Sequence, residues 1–240
     1  LAVSMGEKAK VDMPYMMQLT GKTEEEVFAD LSGVIFRNPL YEENGTQAKY
    51  LTADEYLSGN VREKLAEARK LAESEPVFAA NVTSLEEVQP TDLTASEISV
   101  RLGATWLPED VVQEFMYQLL DTPYYAQWKV KVHYSRYTGG WNVEGKSYDR
   151  SNINATSTYG TDRVNAYKII EETLNLRDVR VFDYIEDENG KRVPVLNKKE
   201  TAIAQGKQEL IKQAFQDWIW KDQSRRERLC RLYNEQFNAL

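Results

Sequence analysis

The chain has 240 residues, 42% of them hydrophobic and 11% aromatic, which suits a folded protein with a sizeable core and one or two domains. Its formal net charge of −8 argues against a dedicated nucleic-acid coat protein. One cysteine, Cys230, and one histidine, His133, exclude an internal disulfide and any multi-cysteine or histidine-rich metal site, and no apolar run reaches the ~18 residues of a membrane span.

Charge is uneven: residues 1–100 hold nine Lys+Arg against eighteen Asp+Glu, and residues 101–240 hold twenty-one against twenty. The acidic part reads as a solvated surface, while the second half has room for a local basic face. Sequons at Asn44, Asn81 and Asn154 carry no information in a chain that reads as cytoplasmic.

Met13, Met16, Met17 and Leu19 mark a short helix that Gly21 ends. Thr23 and Glu26 form a capping-box pattern, and Val27, Phe28 and Leu31 give a second helix its apolar face. Two β-prone runs, VIFRNPLY and AKYLTADEY, flank the hairpin turn signal Asn44-Gly45. Helix, turn, helix and hairpin outline a winged helix-turn-helix. Residues 59–87 read as helical, with Val61, Leu65, Ala68 and Leu71 at helical spacing and a break at Pro76. Pro90 and the Ser/Thr-rich stretch after it read as a linker.

A short strand is expected over Ile98–Leu102, then a helix over Pro108–Leu120 with its proline in the first turn. KVKVHYSRY alternates as a half-exposed strand, turns at Thr138-Gly139-Gly140 and returns through WNVEGKS. A polar stretch leads to a helix from about Asp162 to Leu174, and a second hairpin pairs Val179–Tyr184 with Arg192–Leu196. Val195–Leu240 reads as one long amphipathic helix without a stop signal. Because the chain also opens on Leu-Ala-Val-Ser-Met, both ends are expected to continue in a larger protein.

Gly140–Ser147 matches the phosphate-binding loop pattern G-x-x-x-x-G-K-[ST]. Such a loop needs a helix starting at its Lys-Ser so that free amides face the phosphates. Tyr148–Thr161 shows no apolar period, and Glu144 would oppose a polyphosphate, so a Gly-Gly turn followed by a strand is the preferred reading. Asn38-Pro39-Leu40-Tyr41 nearly matches the target-amine turn of amino-directed DNA methyltransferases. Leucine replaces its second proline, and a turn in the wing hairpin accounts for it.

The second helix of the winged part carries Glu24, Glu25, Glu26 and Asp30, which phosphates would repel, so this part is expected to pack or bind protein. Nucleic-acid contact is expected instead from the first hairpin and the segment after it. There Lys129, Lys131, Arg136, Lys146, Arg150, Arg163 and Lys168 interleave with Tyr134, Tyr137, Trp141 and Tyr148. Strand alternation offers the competing role of core filling to some of those aromatics. Arg225, Arg226, Arg228 and Arg231 form a second basic cluster in the terminal helix, where Asp222, Glu227 and Glu235 can pair with them. No Ser/His/Asp or Cys/His set is available for catalysis.

Several phrases resemble very large mobile-element proteins that carry an adenine-specific DNA methyltransferase region followed by a Swi/Snf-like superfamily-two helicase. They are Tyr56–Leu65 (YLSGNVREKL), Val100–Pro108 (VRLGATWLP), Tyr159-Gly160-Thr161, Asn165-Ala166-Tyr167, Leu174-Asn175-Leu176, and Leu196–Thr201 continuing through Asn234–Asn238. The resemblance spans nearly the whole chain and implies the stretch between the two enzymatic regions. The helicase's nucleotide loop is then expected beyond Leu240 and the methyltransferase turn before Leu1.

Together these readings predict an α+β chain: a winged-helix-like part over 1–58, a helical connector over 59–93, and a mixed domain with two β-hairpins and a long C-terminal helix over 94–240. The expected role is a non-catalytic DNA-engagement and linker module without a cofactor, binding DNA weakly by itself beside flanking helicase and methyltransferase regions. The expected contacts are Lys131, Arg136, Tyr137, Trp141, Lys146, Arg150, Arg163, Arg225, Arg226 and Arg228. The alternative is a scaffold that packs on the helicase core without touching DNA.

Overall fold

Three short helices and a small hairpin open the computed structural model, which describes residues 1–239. They are α1 (Ala2–Lys8), α2 (Met13–Thr20), α3 (Glu24–Asp30), β1 (Ile35–Arg37) and β2 (Tyr50–Thr52), the last two antiparallel. Asp12 caps α2 by accepting the Tyr15 amide at 3.0 Å, and Gly21 ends it at φ 69°. The Thr23–Glu26 capping box starts α3 as the sequence predicts. Val11, Met13, Met16, Val27, Ile35 and Tyr50 form the core beneath them.

The wing departs from expectation. Asn44-Gly45 is not a two-residue turn, for Gly45 has no positive φ and the loop runs from Asn38 to Lys49. Asn38 holds it shut, donating from Nδ2 to the Ala48 carbonyl at 2.8 Å and accepting the Leu40 amide at 3.0 Å. The second β-prone run is also cut short, because Thr52 and Glu55 make another capping box and turn the chain into α4 (Ala53–Tyr56).

Then come α5 (Val61–Ala72), a 3-10 turn at Pro76–Phe78, and α6 (Ala79–Glu87). Phe36 and Tyr56 stack at 5.3 Å and share a second core with Val61, Leu65, Ala68 and Leu85. The helical segment thus packs on the wing hairpin within one unit. That unit comprises Leu1–Leu93 with the residues from Arg231 on; the second is Thr94–Cys230.

The second unit begins with an extended stretch in place of the expected strand. Ile98, Val100 and Leu102 are buried alternately, but no strand among the described residues pairs with them, and Gln216 Nε2 donates to the Val100 carbonyl at 2.7 Å. Next are α7 (Glu109–Leu120), the single-turn α8 (Tyr124–Gln127), and the hairpin β3 (Lys131–Ser135) and β4 (Gly140–Glu144). The polar stretch that follows contains a π-helical turn, Asn154–Thr158. It is anchored by Asn152, whose Nδ2 donates to Leu120 O at 2.9 Å, and by Asp149, which accepts the Tyr167 hydroxyl at 2.7 Å. Burial, with Asp149 beside it, pushes the Tyr167 phenol well above its ordinary pKa.

After α9 (Ala166–Leu174) come the hairpin β5 (Phe182–Glu186) and β6 (Arg192–Leu196), then α10 (Lys198–Trp218) and α11 (Gln223–Phe237). Phe115 of α7 and Phe215 of α10 meet edge to face at 5.2 Å in the core. The expected single terminal helix is therefore two helices, and its last residue, Leu240, lies outside the described residues. The break has a local cause. Asp222 accepts the Arg225 amide at 2.7 Å and starts α11, while Arg225 takes the Trp218 and Ile219 carbonyls that end α10. No helix among the described residues is long and apolar enough to cross a membrane.

Candidate nucleic-acid interface

The β3–β4 hairpin is held by side chains lent from two helices. On the β3 edge, Gln113 and Glu109 of α7 accept the Val132 and Tyr134 amides at 3.1 and 2.6 Å. On the β4 edge, Glu171 and Asn175 accept the Val143 and Trp141 amides, each at 2.8 Å, and Asn175 Nδ2 donates back to Trp141 O at 2.9 Å. Each pair is spaced i, i+4, so one helix face reaches two alternate strand amides. The outward amides of both edges are thereby satisfied. Val132, Trp141 and Val143 are left pointing inward, and His133, Asn142 and Glu144 outward.

Glu171 is the centre of this clamp. Its buried carboxylate takes the Val143 amide and pairs with Lys146 at 2.7 Å and Lys168 at 3.0 Å. Burial opposes its charge, but Lys146, the Val143 amide and Lys168 outweigh burial and hold the carboxyl below its ordinary range. A depressed folded pKa stabilises above the unfolded value and loses that contribution as pH falls through the folded one. Glu171→Gln keeps an acceptor for Val143 and removes the charge, so it should cost about 2 kcal/mol at neutral pH. Denaturant titrations should show the gap to wild type closing below about pH 4; a gap constant down to pH 3 contradicts this role.

The expected contact residues do not share one surface. Trp141 is a correction: it is 5% exposed, packs 4.9 Å from Tyr134 and offers no stacking face. Lys146 is another, since Glu171 and the Val143 carbonyl occupy its ammonium. Gly140–Glu144 is strand, and no helix starts at Lys146-Ser147, so the phosphate-loop letters spell a hairpin and its turn. Arg163 pairs with Asp183 at 2.8 Å and donates to Phe182 O, against the other hairpin. Arg225 is a third correction. It is buried, 3.5 Å from the Trp218 ring centroid, and it serves the helix break. Arg226 donates to Trp220 O, and Arg228 forks onto Asp110 at 2.6 and 3.1 Å. Arg150 is exposed, with its Nε on Ser147 O. Lys131 lies on the strand face opposite Glu144, and Arg136 and Tyr137 are at the exposed tip, where Tyr137 is fully open at 103%.

The structure adds a surface that the sequence reading missed. In α8 only Ala126 turns inward, so Tyr124 (90% exposed), Tyr125 and Trp128 (64%) stand in solvent. The backbone beneath them is fixed: the Tyr117 hydroxyl sits between the Gln127 and Val130 carbonyls, and Gln127 Nε2 donates to Thr122 O at 3.0 Å. Lys129 Nζ lies 4.5 Å from the Trp128 ring centroid. From there Lys129, Lys131 and His133 alternate along the outward face of β3 toward Arg136 and Tyr137, with Glu144 the facing carboxylate 3.5 Å from His133. The available signal was Tyr-Tyr-x-x-Trp directly after a Thr-Pro turn, too short a helix to bury all three rings.

In the first unit three of the four carboxylates of α3 are already engaged. Glu24 pairs with Lys49 and accepts the Tyr50 hydroxyl at 2.6 Å, Glu26 closes its capping box, and Asp30 pairs with Lys22. Lys49 and the Tyr50 hydroxyl hold Glu24 below the ordinary carboxylate range, so α3 keeps its negative charge.

Residues 1–50, which hold the three short helices and the start of the wing, match the family described as "Probable helicase, winged helix domain", and this supports a helicase-associated segment at the N-terminus. Residues 101–239, more than half of the chain, match the family described as "Domain of unknown function (DUF8437)", and the chain belongs to that family. No curated protein and no solved structure matches the chain.

Proposed function

We propose that the chain is a non-catalytic DNA-engagement module of a helicase, and that its contact surface is the α8 platform with the outward face of β3. The observation that carries this reading is a hydrogen-bonded turn exposing Tyr124, Tyr125 and Trp128 beside the cations Lys129 and Lys131, with Arg136 at the tip of the same hairpin. Flat rings stack on unpaired bases while the cations neutralise phosphates, a combination suited to a single strand of any sequence. The finer assignment, a segment between the methyltransferase and Swi/Snf-like helicase regions of a mobile-element protein, rests on the sequence resemblance. The winged helix, with its acidic α3, serves there as a packing unit.

Fluorescence anisotropy with a labelled oligothymidine tests the contact. Three cations on the strand's path imply a slope of about −2 for log affinity against log salt, at ~0.7 per neutralised phosphate. Binding that is absent at low salt, or insensitive to salt, overturns the reading. The second reading, a scaffold that never meets DNA, draws on Ile203 and Leu210 exposed along α10. Under it, charge reversal at Lys129, Lys131 and Arg136 would leave the full-length protein's DNA-dependent activity unchanged.

A further inference from the structure

The two hairpins of the second unit are treated differently by their surroundings. Both edges of β3–β4 are covered by side chains of α7 and α9, as is the extended run before β5, where Gln208 and Thr201 of α10 accept the Val179 and Val181 amides. Beyond Phe182 this cover ends. Tyr184 (61% exposed) and Ile185 (52%) sit on opposite faces of the ribbon, and Val195 and Leu196 are exposed with them. A two-stranded ribbon with apolar residues open on both faces is marginal alone and gains from a further strand.

Only one edge can accept that strand. Asp187 N donates to Lys191 O at 2.9 Å, and the register alternates from there. Ile185 and Asp183 therefore bond inward to β6, while Phe182, Tyr184 and Glu186 turn their amides and carbonyls outward. On β6 the outward position opposite Tyr184 is Pro194, which has no amide to give, so that edge is blocked. On β5 the Phe182 carbonyl takes Arg163, and the Tyr184 and Glu186 backbone groups have no partner among the described residues.

We propose that the edge of β5 pairs antiparallel with β5 of a second copy of this chain, around a two-fold axis at Tyr184, giving a four-stranded sheet across the dimer. The sequence Phe182-Asp183-Tyr184-Ile185-Glu186 is self-complementary in this register. Tyr184 exchanges both of its backbone bonds with the second copy's Tyr184, and Glu186 meets Phe182. Asp183 lies beside Ile185, so no like charges face each other. Continuing outward, the acidic turn Glu186-Asp187-Glu188 of one copy reaches Arg180 of the other, an exposed cation with no ion pair among the described residues. Charge complementarity therefore selects a second copy, whereas the acidic turn disfavours a nucleic-acid strand on this edge. A two-fold contact of this kind is closed and stops at a dimer.

Sedimentation velocity of the 240-residue chain from about 1 to about 200 μM should show a concentration-dependent dimer, with amide exchange at Tyr184 and Glu186 slowing as the dimer forms. Tyr184→Pro removes an outward amide, spares the ladder to β6, and should leave a monomer. Arg180→Glu should weaken the dimer about tenfold, and Arg180→Glu combined with Glu188→Lys should restore it, a rescue that a folding defect would not produce. A chain that stays monomeric throughout, or a dimer that survives both single substitutions, overturns the proposal. So does protection of these amides in a monomer on adding oligonucleotide.

Discussion

Replacing Tyr124 and Trp128 together with alanine is expected to lower affinity for a single-stranded oligonucleotide by about 30-fold or more and to leave the unfolding midpoint nearly unchanged. Stacking on one aromatic is worth roughly 1–3 kcal/mol per base, so two rings contribute at least about 2 kcal/mol. The rings can be removed at little structural cost because they stand in solvent, while the turn that carries them is held by the buried Ala126 and by Tyr117. Trp141→Ala should behave in the opposite way. It empties a core position beneath the β3–β4 hairpin and should cost about 3–5 kcal/mol, with binding per folded molecule retained. Equal losses of affinity from the two changes would mean that fold integrity, not the platform, governs binding.

Gly145→Ala is expected to destabilise the second unit by about 3 kcal/mol or more, a fall of roughly 6–12 °C in its melting temperature. Gly145 lies at φ +66°, and a Cβ there would come within 2.5 Å of the Lys129 carbonyl, a backbone atom that cannot swing aside. This glycine ends β4 and lets the turn close on the start of β3. The phosphate-loop alternative forecasts a different outcome, a folded Gly145→Ala protein that loses nucleotide affinity. A thermal melt with an ATP-binding titration of the same variant separates the two. The same packing ties the turn to the proposed contact surface, because Lys129 is both the neighbour of Gly145 and the cation over Trp128.

Local chemistry made much of the fold legible. Thr23–Glu26 announced α3, Pro108 the start of α7, and the alternation of KVKVHYSRY the strand β3, each through contacts a few residues apart. Expectations failed where distant groups intervened. The terminal helix reads as continuous because Trp218–Asp222 has no proline or glycine to stop it. Arg225 breaks it by reaching back to two carbonyls, at the helix end that the Asp222 cap also defines.

The proposed contact surface was legible only in part. Lys131, Arg136 and Tyr137 stayed available on an exposed strand face and tip, whereas Lys146, Arg163, Arg225, Arg226 and Arg228 were claimed by Glu171, Asp183, carbonyls of the helix break and Asp110. A basic residue in a sequence shows that a charge exists; whether it is free depends on which carboxylate or carbonyl the fold brings beside it.

By itself, then, the sequence determined the α+β class, the winged outline of the first part, the two hairpins and the starts of helices such as α3 and α7. These depend on backbone preferences, side-chain period and capping partners within a turn. Only the tertiary structure decided that Trp141 is core and Trp128 surface, that Lys146 is spent within the fold, and that β5 keeps an open edge. Those outcomes depend on which helix face lies against which strand, and such contacts join residues far apart in the chain.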